Sequence, residues 1–263
     1  MEFFKTTSFG NDFIVINQEE LDKQKVNDFV KNICDRDNSV GGDGVVSYYM
    51  GKNFVDFRIF NADGSEAELS GNGMAAVSSV LFYKDLFENR IVLNTKSGVK
   101  EIKLIDNKKN SFNLYIEIGE PNFSDLKFFP FLNKKELKIE DINFHPVSVG
   151  NPHIVVFIDF EKRDWFEITD KIMQEFELPF GTNFEFVKII DDDNVKVLFF
   201  ERGVGITPFS STGSSAVMSI LNKLKNINHT FINMKKDKNK VEIRNKKIYL
   251  ENKTKILYKG ILF

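Results

Sequence analysis

Residues 57 to 82, FRIFNADGSEAELSGNGMAAVSSVLF, and residues 197 to 221, VLFFERGVGITPFSSTGSSAVMSIL, follow one plan. At a constant offset of 140, Phe60 falls on Phe200, Asn61 on Glu201, Ser70 on Ser210, Gly73 on Gly213, Ala76 on Ala216, Val77 on Val217 and Leu81 on Leu221. Each copy reads as an apolar strand, a polar loop, Ser-X-X-Gly, and then small and apolar residues at helical spacing. An internal repeat of this kind divides the chain into two halves built alike.

A helix starting at Gly71 or Ser211 aims its unpaired N–H groups back at the loop before it. Such an end attracts a carboxylate through hydrogen bonds and the helix dipole. Two such ends facing one another are expected to close a site at a domain interface, with one serine on either side of the ligand. The plainer role of each serine is that of an N-cap, contributing roughly 1 kcal/mol to its helix.

Of the 263 residues, 42% are hydrophobic and 28% charged, which describes a folded chain of one large or two modest domains. The formal net charge of -2 argues against a nucleic-acid partner held by a broad basic surface and leaves a small molecule as the expected ligand. MEFFKTTSFGNDF lacks the basic start and long apolar core of a signal peptide, and no window approaches a membrane span, so the expected location is cytoplasmic. Cys34 is the sole cysteine, which excludes an internal disulfide and a cysteine metal cluster; in KNICDR it reads as a small buried hydrophobe.

Along the chain, residues 2 to 9 and 13 to 17 read as strands about a turn at Gly10-Asn11-Asp12, and Leu21 to Ile33 as one helix. VVSYYM, VDFRIF, RIVLNTKSG, VKEIKLI and NLYIEIG read as strands, with a helix from about 71 to 84. Pro121 to Asp141 is the least regular section and the expected crossing, giving halves of 1–120 and 121–263, with the last strand able to return to the first. Beyond it come a strand broken at Gly150-Asn151-Pro152-His153, a helix from Trp165 to Phe176, and FEFVKII paired with VKVLFFE around Asp191-Asp192-Asp193-Asn194. That acidic run reads as a solvated hairpin turn. TFINMKK, KVEIRN, KIYLEN and ILYKGILF complete the chain as short strands with lysine-rich turns.

GNDFIVIN, ICDRDNSVGGDG, FRIFNADGSEAELSGNG, GNPH, GTNFEFV and ERGVG together resemble the diaminopimelate epimerase family, in that family's order and over most of residues 3 to 216. The resemblance implies an α/β (α+β) fold of two pseudo-symmetric halves, each a sheet wrapped around a central helix. It further implies a cofactor-free, metal-free cleft for an amino acid or dicarboxylate, and a homodimer. In that family one cysteine thiolate removes the α-proton while a second cysteine, as thiol, protonates the opposite face. The matching positions here are Ser70 and Ser210.

By the same resemblance Asn11, Asn61, Asn151, Asn183, Glu201 and Arg202 match groups that bind the substrate's carboxylates and amino groups. Gly71, Asn72, Thr212 and Gly213 match the helix-end anion sites, and His153 and Glu201 match groups that tune the cysteines. The sequence departs from the family at Ala75 (usually arginine), Ile206 (glutamate), Phe209 (a small residue) and Ser211 (glycine).

A cysteine near pKa 8.5 is brought into use by helix N-termini and cations, whereas a serine hydroxyl has no comparable anionic population. Replacement bases near the motifs are Glu201, Glu66, Glu68, Asp63 and His153. The sequence therefore leaves open an epimerase with rerouted chemistry, an isomerase using a carboxylate base, a silent amino-acid-binding paralogue acting as sensor or subunit, and a deliberate double Cys-to-Ser form. The additional departures favour natural divergence over the last.

Overall fold

A computed structural model of the chain describes residues 1–133, 136–234 and 238–263. It divides into two compact units, Met1–Glu117 with Glu251–Phe263, and Ile118–Leu250. Both mix strands and helices, and in each a sheet wraps a central helix.

In the first unit β1 (Glu2–Ser8) and β2 (Asn11–Asn17) form a hairpin. Its turn is Phe9-Gly10, both with positive φ, rather than the expected Gly10-Asn11-Asp12. A two-residue hairpin loop needs that backbone, and it places Asn11 and Asp12 inside β2. The single helix expected from Leu21 to Ile33 is two: α1 (Gln18–Leu21) and α2 (Val26–Cys34). Asn17 caps the first through its side chain, and buried Val30, Ile33 and Cys34 mark the inner face of the second.

β3 (Gly44–Met50) runs parallel to β2, and β4 (Val55–Asn61) returns antiparallel to β3. The two-residue β5 (Glu66–Ala67) folds back on β4 and leads into α3 (Gly71–Tyr83). β6 (Arg90–Thr95) lies parallel to β4, followed by β7 (Gly98–Lys108) and β8 (Ser111–Gly119). Every residue of α3 from Gly71 to Phe82 is buried, as its nearly uniform apolar surface requires.

The second unit repeats this order. The section expected to be irregular has a short 3-10 turn (Pro130–Asn133) and β9 (Lys138–Ile139), but it is no loose linker. Phe128, Phe129 and Phe131 enter the core with Phe144, Phe176, Phe184 and Phe186, and Phe176 meets Phe131 and Phe144 edge-on at 4.9 and 4.8 Å.

β10 (Ile142–Ser148) and β11 (Pro152–Phe157) form a hairpin; α4 (Trp165–Glu175), capped by Asp164, precedes β12 (Asn183–Ile189), which lies parallel to β11. β13 (Asn194–Glu201) pairs with β12 through a turn in which Asp191 accepts from the Asp193 N–H and the Asn194 side chain. β14 (Gly205–Thr207) leads to α5 (Ser211–Lys225), and β15 (His229–Asn233) runs parallel to β13. The offset of 140 survives in the pairing itself: Ile59 opposes Ala67 as Phe199 opposes Thr207.

β16 (Lys238–Arg244) pairs with the start of β17 (Lys247–Ile261), which goes on in the first unit to pair with β1. KIYLEN and ILYKGILF are therefore one strand, not two. Its inward set is Ile248, Leu250, Asn252, Thr254 and Ile256. Lys235 and Lys236 of TFINMKK, and Asp237 after them, lie outside the described residues.

Cys34 is buried in the first unit's core, and burial pushes its thiol up to about 11, in keeping with a small hydrophobe. Among the described residues no helix is long and apolar enough to cross a membrane, and no group of three acidic, histidine or cysteine side chains is arranged to hold a metal ion.

Gly44 sits where β3 passes against β4, and a Cβ there would lie 2.3 Å from the Phe60 carbonyl oxygen. Gly44→Ala should destabilise the protein by about 1 to 3 kcal/mol in denaturant unfolding, because backbone rather than a flexible side chain must yield. An unchanged midpoint would refute this packing constraint.

Candidate functional site

Each motif places its serine one residue ahead of a buried helix. Ser70 and Ser210 are extended in backbone, and the Oγ of each accepts the N–H of the glycine three residues on, Gly73 or Gly213, at 3.1 Å. The glycines let the helix starts approach the sheet. A Cβ on Gly73 would stand 2.8 Å from Ile59, and one on Gly213 would stand 2.6 Å from the Glu185 carboxylate and 2.8 Å from Phe199. The remaining first-turn N–H groups give each start its positive end.

In the first unit, Asn72 is buried and its Nδ2 donates to Asn11 Oδ1 at 2.6 Å. Asn72 Oδ1 accepts from Asn252 Nδ2 at 3.0 Å, and the Ser8 hydroxyl, whose single proton lies closer to Asn252 Oδ1 at 2.9 Å, stands 3.3 Å from it. Asn11 Nδ2 donates in turn to Asp43 Oδ2 at 3.3 Å, and Asp43 and Asp12 are both bound by Arg36. Gly71 opens α3 beside Asn72, and Asn61 ends β4, its amide donating to Ser65 Oγ at 2.9 Å.

The carboxylates of this first loop are already engaged. Burial works against the charge of Glu66, but Arg58 and Lys96 outweigh it and hold the carboxyl below its ordinary range. Asp63 is lowered by the hydroxyl and N–H of Ser65. Glu68 is half-buried on the same loop. Ala75 lies wholly inside α3.

The second unit buries a histidine and a glutamate, His153 and Glu185. His153 is fully buried, with Nδ1 2.8 Å from Glu185 Oε1 and Nε2 3.0 Å from Asn151 Oδ1. Asn151 reaches Thr212 Oγ1 only at a long 3.5 Å. Both ring nitrogens of His153 are thus occupied within the unit. Asn183 is spanned at both ends, donating to the Pro152 carbonyl at 2.9 Å and accepting the Arg202 N–H at 3.0 Å.

Glu201, at the end of β13, faces the Ser210 hydroxyl. Burial raises its carboxyl above the ordinary glutamate range, and so does the charge of Glu185; the Ser210 hydroxyl and His153 act in the opposite direction. The Arg202 guanidinium is exposed, donates to the Phe180 carbonyl, and passes over Gly181. Of the departures from the family pattern, Phe209 is buried edge-on against Phe199 at 5.9 Å, Ser211 is buried in the first turn of α5, and Ile206 is 62% exposed.

Sequence reasoning missed Ser8, Asp43, Asn252, Thr254 and Glu185. Two signals were present. Asn252 and Thr254 occupy the inward register of an otherwise apolar strand, and Glu185 is a lone acid between Phe184 and Phe186; a buried polar group in such a place needs a partner.

The chain matches the family model described as diaminopimelate epimerase over residues 3–124 and 146–257. It is 31% identical over 294 residues to the diaminopimelate epimerase of Methanococcus aeolicus, covering 100% of this chain and 99% of the relative. It is 33% identical over 244 residues to that of Caldanaerobacter subterraneus, covering 86% of each. Solved structures sharing its fold include a predicted epimerase from Pseudomonas aeruginosa (TM-score 0.71, 13% identity, 99% of this chain and 98% of that one). A hydroxyproline epimerase from Agrobacterium vitis, with bound trans-4-hydroxy-L-proline, has a TM-score of 0.68 at 12% identity, covering 99% and 91%.

The raised Glu201 carboxyl sets a sign. A partly buried acid shifted upward favours the fold while protonated, and that contribution is lost as pH rises through its folded-state pKa. Glu201→Gln should therefore unfold at higher temperature than wild type near pH 8, with the gap closing as pH falls below the ordinary glutamate range. A pH-independent gap would refute the raised Glu201 carboxyl.

Proposed function

This chain belongs to the diaminopimelate epimerase family, and we propose that it catalyses cofactor-independent epimerisation at the α-carbon of an amino acid, converting LL- to meso-diaminopimelate. The observation that carries this reading is the pairing of Glu201, a carboxyl raised by burial, with Ser210 at the start of α5. A serine alone does not provide the base. Its hydroxyl proton is used toward the carboxylate while its oxygen accepts from Gly213, so Ser210 orients and Glu201 takes the α-proton.

The electron pair left on the α-carbon delocalises into the substrate carboxylate, which the positive helix ends favour. A proton supplied by solvent to the opposite face, where Ser70 occupies the second acid/base position by resemblance, then inverts the centre, and Glu201 returns the proton it took to solvent. Arg202 supplies a charge for a substrate carboxylate, and Asn11, Asn61, Asn151 and Asn183 supply amide contacts.

One observation favours a second reading. Ser70 and Ser210 both serve as N-caps through their 3.1 Å bonds, a role each would keep in a paralogue that binds an amino acid or dicarboxylate as a sensor or regulatory subunit without turning it over.

Proton NMR in D2O with LL- and meso-diaminopimelate separates the two. The expected result is loss of the α-hydrogen signal, slowed at least about a hundredfold in Glu201→Gln. Ligand line-broadening without exchange would reject epimerisation and support the binding paralogue. Arg202→Ala should weaken ligand binding by about 1.5 to 3 kcal/mol, and unchanged affinity would reject the anionic-ligand assignment.

A further inference from the structure

The first unit's amides form a chain whose direction is fixed by its ends. Asp43 is acceptor-only: Oδ2 takes the Asp12 N–H at 2.9 Å and the Asn11 Nδ2, and Oδ1 takes Arg36. Asn11 must therefore turn its NH2 to Asp43 and its oxygen to Asn72. Asn72 then turns its NH2 to Asn11 and its oxygen to Asn252. At the far end Asn252 donates to Asn72, while its Oδ1 accepts the hydroxyls of Ser8 at 2.9 Å and Thr254 at 2.8 Å. No member can reverse without setting two acceptors or two donors against each other.

We propose that Asn252, delivered by the last strand, is a positioning residue that holds the amide orientation of Asn72 from the end opposite Asp43 and so keeps an NH2 group against the Asn11 oxygen, Asn11 being left with a second Nδ2 hydrogen to offer a ligand acceptor. The part concerning the ligand rests on the amino-acid-binding reading above; the orientation of the amides does not. Asn252 and Thr254 are buried at the inward register of β17, and Asn72 is buried beside them at the start of α3. The final strand thereby sets the polarity of a helix start more than 170 residues earlier, the Asn252 to Asn72 bond spanning 180 positions.

The test is Asn252→Asp, which keeps shape and both hydroxyl partners but, when ionised, loses the donor. Its carboxylate faces the Asn72 oxygen as a second acceptor, so Asn72 must turn over and place its own oxygen against that of Asn11. The side-chain NH2 resonances of Asn11 and Asn72, followed by nitrogen-15 NMR without ligand, should move at neutral pH. They should return toward wild-type positions at low pH, where the protonated carboxyl donates again. Ligand affinity should fall about tenfold at neutral pH and recover in the same range. Amide signals unchanged at neutral pH, or shifted without recovery in acid, would overturn the proposal.

Should the variant unfold at neutral pH, its melting temperature relative to wild type carries the same information. The introduced carboxyl is raised in the fold, so the deficit must shrink as pH falls through its folded-state pKa. A constant deficit would overturn the proposal. If the amides respond as expected but wild type binds no diaminopimelate, the relay stands and the ligand assignment falls.

Discussion

The hydrogen bond from a glycine N–H to a serine hydroxyl, 3.1 Å in both units, is the interaction on which the rest is arranged. α3 and α5 are buried from their first residue through most of their length, so water is not there to satisfy their first turns. The cap must come from the chain, and the glycine it binds must lack a side chain because Ile59 in one unit, and Glu185 with Phe199 in the other, occupy that space. Strand, loop, cap and glycine are consequences of bringing a helix start close to a sheet. The positive end so created lies beside the buried polar groups of each unit.

A hydroxyl is a better cap than a thiol, since sulfur is a weak acceptor. It is also a far poorer acid or base near neutral pH. Serine at positions where the family resemblance places cysteine therefore strengthens the helix start, by an amount on the scale of roughly 1 kcal/mol, while removing the group best suited to proton transfer. This is the usual exchange between stability and activity at a strained or reactive position.

The repeat was legible because it lies in local sequence, and the structure carries it into strand register: the pairs Ile59 with Ala67 and Phe199 with Thr207 differ by the same 140 positions. The capping serines and their glycines were readable for the same reason. What eluded the sequence was either a turn one residue early, as at Phe9-Gly10, or a partner far along the chain. Asn252 meets Asn72, and Glu185 meets His153, only after strands have paired, and no local pattern names such partners. The phenylalanines of residues 128 to 131 were hidden by irregular spacing, although their burial ties that section into the second core.

The two units differ most at positions their pairing makes equivalent. Phe13 opposes Gly44 across β2 and β3 as His153 opposes Asn183 across β11 and β12, and two residues further along the second strand of each pair stand Val46 and Glu185. Asn61 in the first unit answers Glu201 in the second at the same offset of 140. The first unit thus places phenylalanine, valine and asparagine where the second places histidine, glutamate and glutamate. One helix start is served by a chain of neutral amides anchored on Asp43, and the other by a buried imidazole and two carboxyls. Neutral amides hold orientation without carrying charge; in the second unit burial and the charge of Glu185 raise the Glu201 carboxyl, and His153 opposes them. The substitution of residues on a common framework thus sets neutral amides at one helix start and a histidine with two glutamates at the other.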